Sequence, residues 1–201
     1  MLNTNLEPWP SFTQEEADAV SKTILSNKVN YWTGQECREF EKEFATFAQT
    51  KYAVALTNGT VALDVALKAL DIGLGDDVIV TSRTFLASAS SIVTAGANPI
   101  FADVELNSQN ISRRTIEAVL TPNTKAIICV HLAGLMCDMD PIMEFAQENG
   151  LYVIEDCAQA HGAQYRGRNV GSYGTCGCFS FYPTKNMTCG EGGMITSDNH
   201  E

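Results

Sequence analysis

The sequence predicts an α/β fold: a mostly parallel central sheet with helices on both faces. Three observations carry this. From residue 52 onward, short apolar runs of strand type alternate with segments of helical spacing. Several of those runs, such as AIICV (126–130) and LYVIE (151–155), are apolar at nearly every position, as strands buried on both faces are. The intervening segments are long enough for the crossover helices that parallel strands need.

The elements follow in order. The first 50 residues read as a turn-rich opening and then an amphipathic helix, CREFEKEFATFAQ, with Phe40, Phe44 and Phe47 on one face. Residues 1–50 are thus expected to form an arm and helix, and residues 51–201 the sheet domain. Tyr52 to Leu56 (YAVAL) is a strand, and Val61 to Leu70 has helical spacing with good helix formers. Val78 to Val80 is a strand, followed by an Ala/Ser-rich helix over 86–95 and a strand from Pro99 to Ala102. Ser112 is placed as the N-cap of RRTIEAVL. AIICV is a buried strand, and Asp138 or Asp140 opens the helix PIMEFAQEN, which Gly150 ends before the strand LYVIE. The runs GCFSFY (177–182) and GMITS (193–197) complete the list.

The composition narrows the function. The chain has 201 residues, 45% of them hydrophobic, and a net charge of −11. Its basic residues cluster no further than pairs such as Arg166 with Arg168, which argues against a nucleic-acid partner. No secretory leader opens the sequence and no apolar run has bilayer-spanning length, so a cytoplasmic protein with no membrane partner is expected. Seven scattered cysteines, an odd number and mostly in apolar contexts, read as reduced core thiols. A metal site built on Cys176, Cys178 and Cys189 lacks a C-x2-C pair and a histidine at ligand spacing, and no metal is expected.

Ligands of parallel sheets bind outside the carboxyl ends of the strands, so the chemistry is sought there. After the first strand, Thr57-Asn58-Gly59-Thr60 runs straight into a helix. A glycine turn at a helix N-terminus suits a phosphate, although Asn58-Gly59 is also an ordinary turn and Thr60 an ordinary N-cap. It is neither a P-loop nor a dinucleotide fingerprint, which counts against nucleotide hydrolysis and NAD. Asp156 follows LYVIE and serves either as a helix cap or as an acid with a task. His161 reads as a satisfied structural histidine. Lys185 lies 29 positions further (185 − 156), in the neutral, glycine-flanked run FSFYPTKNMTCGEGGMI, where a lowered amine pKa is expected.

Together a phosphate turn, an acid and a lysine, each after a different strand, form the set that pyridoxal phosphate asks for. An aromatic cover for its ring is expected as well, and Phe85, just after the strand VIVT, is placed to supply it.

These stretches, with NYWTGQECREFEKEFA, TNGTVALDVALKAL, YVIEDCAQAHGAQYRGRNVGSYG and CFSFYPTKNMTCGEGGMITSD, resemble the DegT/DnrJ/StrS family of nucleotide-sugar aminotransferases, within the fold type I (aspartate aminotransferase-like) enzymes. The resemblance covers nearly the whole chain. It implies that Lys185 carries the cofactor as a Schiff base and shuttles protons, and that Asp156 pairs with the pyridine nitrogen. It implies Gln159 near the ring hydroxyl, Gly59, Thr60 and Ser180 at the phosphate, and Phe85 stacked on the ring. Some relatives have histidine in place of this lysine and act as dehydratases, so Lys185 favours transamination. The implied reaction moves an amino group from L-glutamate to a C3 or C4 keto group of a nucleotide-linked sugar, for surface-polysaccharide or glycan biosynthesis. A homodimer is implied for the full-length protein.

Members of the family continue for a comparable length beyond the point matching Glu201. The expectation is therefore a large domain (51–201) incomplete at its C-terminal end, without the small C-terminal domain. Two readings stay open: an aminotransferase, or a truncated, non-catalytic remnant that binds the cofactor or partners a complete subunit.

Overall fold

The computed structural model describes residues 9–200. The chain begins with α1 (Gln14–Leu25) and α2 (Glu36–Ala48), followed by β1 (Tyr52–Leu56), α3 (Gly59–Ala69), β2 (Asp77–Thr81) and α4 (Ala87–Thr94). Next come β3 (Asn98–Ala102), α5 (Arg113–Glu117), β4 (Thr124–Val130), α6 (Met139–Asn149) and β5 (Tyr152–Asp156). A two-strand hairpin, β6 (Gln164–Tyr165) and β7 (Arg168–Asn169), precedes β8 (Cys176–Ser180) and β9 (Gly193–Ser197).

The expected strands and helices of the sheet domain all form, with ends shifted by at most two residues except at α5, which stops at Glu117, three residues short of the expected Leu120. Ser112 caps α5 as expected: its hydroxyl accepts from Thr115 N, while Thr115 Oγ1 accepts from Ser112 N. Gly150, at φ 65°, ends α6 in the left-handed conformation that glycine adopts without a Cβ penalty. The opening is different from its turn-rich reading, because it folds as α1. Thr13 and Glu16 make a reciprocal capping box there, at hydrogen-bond distances of 3.2 and 2.6 Å. None of the residues of α1 is buried, so no core-facing stripe marked it in the sequence.

The central sheet has seven strands in the order β1-β9-β8-β5-β4-β2-β3. Strands β3, β2, β4, β5 and β8 are parallel, and β9 alone runs against its neighbours β8 and β1. Alternate side chains feed two cores. Ile79, Ile127, Cys129, Val153 and Phe179 pack with Phe44 of α2 and Ile142 and Phe145 of α6. Val78, Val80, Ile128, Ile154 and Cys178 pack on the other face with Leu63 and Leu67 of α3 and Ile92 of α4. Burial on both sides is why these strands are apolar throughout. The phenylalanine face of α2 docks as the pattern implied: Phe44 meets Phe179 and Phe181 edge-on, at 4.8 and 5.4 Å between ring centroids.

One carboxylate sits inside this core. Glu155, on β5, is fully buried, and both its oxygens are saturated. Oε1 accepts from Tyr173 N and Gly174 N at 2.8 Å each, and Oε2 from Gly171 N at 3.0 Å and His131 Nε2 at 2.9 Å. Cys137 N donates to His131 Nδ1 at 3.1 Å, so the proton facing Glu155 is on Nε2. Burial pushes the Glu155 carboxyl up, but the His131 N–H and the Gly174 and Gly171 amides outweigh it and hold the group below its ordinary value. A lowered folded-state pKa contributes stability that is complete above the ordinary carboxylate value and lost as pH falls through the lowered one. Replacing Glu155 by Gln is expected to cost about 3–5 kcal/mol of unfolding free energy at neutral pH. In urea titrations, the difference between the two proteins should shrink as the pH is taken down through the acid range.

Candidate active site

The site is assembled where β1, β5 and β8 end. At the first of these ends, Asn58 stays extended and its Oδ1 accepts from Val61 N at 2.9 Å, which makes Asn58 the N-cap of α3. Thr60, which the sequence offered as an ordinary cap, lies instead inside the first helical turn. Gly59 faces Ser180: a Cβ built there would lie 2.7 Å from Ser180 Cβ. The helix start therefore packs against the end of β8 only because residue 59 has no side chain.

Asp156 is the last residue of β5 and is buried. No helix follows it, so its role is not that of a helix cap. Its Oδ1 accepts from Ala158 N at 3.1 Å, and its Oδ2 from Ser88 Oγ at 2.6 Å. Gln159, two residues beyond Cys157, accepts through Oε1 from Ala133 N at 2.9 Å. Phe85 precedes α4 and is 69% exposed. Lys185 lies in the connection from β8 to β9, where its N–H donates to Tyr182 O at 2.9 Å. Because β9 is reversed, this connection leaves and re-enters the sheet at one edge, with Ser180 and Leu56 both opposite Gly193. That places Lys185 beside Asp156 and the start of α3.

A cavity of about 380 Å³ is lined by all seven residues singled out from the sequence: Gly59, Thr60, Phe85, Asp156, Gln159, Ser180 and Lys185. A larger groove of about 560 Å³ lies at the opposite ends of the strands, against Tyr52, Tyr152 and Cys176. Lys185 is half-buried and shares its cavity with Asp156 and Glu191, so its surroundings are wetter and more charged than the neutral run of sequence implied. Thr84 and Glu191 also line the cavity, and Ser88 stands behind it; no spacing in the sequence marks these three.

The remaining expectations resolve as follows. Five cysteines are buried and two, Cys37 and Cys189, are exposed, all as free thiols. Among the described residues, His131, Glu155 and Cys157 bring potential ligand atoms within 4.8 Å of one another. The imidazole and carboxylate atoms of that trio are already committed to the hydrogen bonds of the Glu155 network. Arg166 pairs with Asp140 at 2.7 Å, and Arg168 lies over the Tyr173 ring at 4.4 Å, so both members of the basic pair have local partners. No helix among the described residues is long and apolar enough to cross a membrane.

The profile of the DegT/DnrJ/EryC1/StrS aminotransferase family matches residues 10–201. The chain belongs to this family. GDP-perosamine synthase of Caulobacter vibrioides is 51% identical over 192 residues, covering 96% of this chain and 52% of the relative. An aminotransferase structure from Psychrobacter cryohalolentis superposes with a TM-score of 0.95 at 64% identity, over 96% of this chain and 49% of that one. A Streptococcus pneumoniae chain assigned as a sugar aminotransferase, solved in its PLP form, superposes at 0.89 and 31% identity, over 96% of this chain and 53% of that one. The chain thus spans about half the length of the family relatives it matches.

His161, expected to be hydrogen-bonded, has neither ring nitrogen partnered. It packs against Phe179 and Phe181, with centroids 5.6 and 5.5 Å away, and the nearby Ser180 backbone falls outside hydrogen-bond geometry. Burial pushes its imidazole down to about 4; the Ser180 backbone opposes this, and the charge of Lys185 adds to it. A histidine kept neutral by the fold contributes stability that is complete above its ordinary value of 6.5 and is lost as pH falls toward 4. His161→Phe should flatten the pH dependence of the melting temperature between about 6.5 and 4, leaving the Glu155 contribution at lower pH.

Proposed function

We propose that residues 51–201 form the pyridoxal phosphate-binding large domain of an aminotransferase, with residues 1–50 as its arm and helix. The reaction would move an amino group from L-glutamate to a C3 or C4 keto group of a nucleotide-linked sugar. The observation that carries this reading is the gathering of a helix N-terminus, a buried acid and a lysine around one cavity at the sheet edge. The glycine-permitted approach of α3 to Ser180 and the polar lining fit the cofactor's phosphate and ring. The family and the nucleotide-sugar relative named above support the substrate class. A homodimer is the assembly we expect for the full-length enzyme.

When bound, pyridoxal phosphate supplies an electron sink for charge developing at the carbon that loses or gains a proton. The residues of this chain do the rest. Backbone amides at the start of α3, with the Thr60 and Ser180 hydroxyls, would hold the phosphate, aided by the partial positive charge of the helix terminus. Asp156 would keep a proton on the pyridine nitrogen, Phe85 would cover the ring, and Gln159 would lie near its hydroxyl. Lys185 Nζ would hold the aldehyde end, and it is the group that would move the proton at the amino-bearing carbon.

Borohydride treatment of the chain mixed with pyridoxal phosphate should leave a pyridoxyl group on the Lys185 peptide, read by mass spectrometry. Lys185→Ala should abolish that label and lower transamination of glutamate and keto sugar by about 10²–10⁴-fold. Label elsewhere, or unchanged turnover, would overturn the assignment. Asp156→Asn should keep the label while turnover drops by roughly 10²-fold. Labelling of Lys185 with no turnover in the 201-residue chain would support cofactor binding alone for this form.

A further inference from the structure

Asp156 does not stand alone at the end of β5. Its Oδ2 is held by Ser88 Oγ at 2.6 Å, a contact between residues 68 positions apart in sequence and buried from solvent. Ser88 has only one hydroxyl proton, and that proton is committed to Asp156. The second contact of Ser88 Oγ, to Thr84 Oγ1 at 2.7 Å, must therefore be donated by Thr84. The two hydroxyls form a directed row, Thr84 to Ser88 to Asp156, with every donor pointing toward the carboxylate.

We propose that Ser88, polarised by Thr84, is a positioning residue that fixes the orientation in which Asp156 presents its carboxylate to the cavity. The proposal rests on the reading of Asp156 as the partner of the cofactor's ring nitrogen. A short hydrogen bond to a charged acceptor is about twice as strong as a neutral one, and a row of aligned donors strengthens each member. With Oδ1 engaged by Ala158 N and Oδ2 by Ser88, the side-chain torsion of Asp156 is held at both oxygens. Rotation would leave a buried hydroxyl and an amide unpaired at once.

The row also ties two parts of the site together. Thr84, Phe85 and Ser88 belong to one turn at the start of α4, where Ser88 N donates to Phe85 O at 3.2 Å. Thr84 and Phe85 line the cavity, while Ser88 stands behind it, fully buried. One short segment thus supplies the aromatic cover and the support for the acid. The charged and titratable groups around Asp156 are Lys185 and Glu191, which line the same cavity, and the buried thiols of Cys157 and Cys178.

The experiment uses the 201-residue chain loaded with pyridoxal phosphate carrying ¹⁵N in its ring, and reads the ring-nitrogen NMR shift against pH. In the wild type the nitrogen should be protonated. In Ser88→Ala the pH at which it loses its proton should fall by about one unit, and in Thr84→Val by a smaller shift in the same direction. Ser88→Thr, which keeps the hydroxyl, should restore the wild-type midpoint. In an Asp156→Asn background, Ser88→Ala should produce no further shift, which a merely structural role for Ser88 would not explain. Thr84→Val keeps the test decisive if Ser88→Ala does not fold, because Thr84 is only half-buried. Unchanged midpoints in both variants, with Lys185 still labelled by borohydride, would overturn this proposal alone. A wild type that takes up no pyridoxal phosphate on Lys185 would instead overturn the proposed function beneath it.

Discussion

A single buried carboxylate organises the carboxyl edge of this sheet. Glu155 is expensive to place in an apolar interior, and it is tolerated because four donors surround it. Three are backbone amides of the 171–174 loop, and the fourth is His131, just past the end of β4. The loop that leads into β8, the end of β4 and the end of β5 are thereby tied to one point. The next residue along β5 is Asp156, whose carbonyl accepts from His131 N at 3.2 Å. Strand alternation turns Asp156 away from the Glu155 network and toward the opposite face, where Ser88 receives it.

The reversed strand β9 is the second constraint. A connection between parallel strands would carry the chain to the far edge of the sheet, but β8 and β9 are antiparallel. The twelve-residue connection (181–192) therefore stays where the parallel strands end, and Lys185 stays with it. Glycines make the return possible: a Cβ at Gly193 would lie 2.3 Å from Asn58 O, and one at Gly192 would lie 2.7 Å from Cys189 Sγ. Gly192 and Gly193 are thus packing requirements of this tight edge, whereas Gly190 meets nothing within 4 Å and instead supplies a positive φ of 89°. The high structural similarity to aminotransferases at 31–64% identity is consistent with such a strictly packed arrangement.

The site combines rigid and open parts. Asp156 and Ser180 are each about 7% exposed and fixed by the strands that carry them. Phe85 and Tyr182 line the same cavity yet remain 69% and 47% exposed. The groups assigned to the ring nitrogen and phosphate are thus preorganised by the sheet, while the aromatic groups sit at the cavity's open side. That division suits a cofactor held at its polar ends and reached by substrates across its face.

The sequence by itself determined the strands, most helices, the sheet class and five of the seven residues that line one cavity, Gln159 and Ser180 being supplied by the family resemblance. It could do so because two-sided burial writes continuous apolar runs into strands and because the candidate residues lie just after those strands, where ligands of such sheets bind. It did not show α1, whose Thr13–Glu16 capping signal was present but whose apolar residues pack against no core. It did not show that β9 reverses, since an apolar run carries no direction. Nor could it distinguish Glu155 from any other acid, Ser88 from its neighbours Ser90 and Ser91, or a hydrogen-bonded His161 from an unpartnered one. Those properties depend on which atoms meet across 16 to 68 residues of chain, and only the folded sheet brings them together.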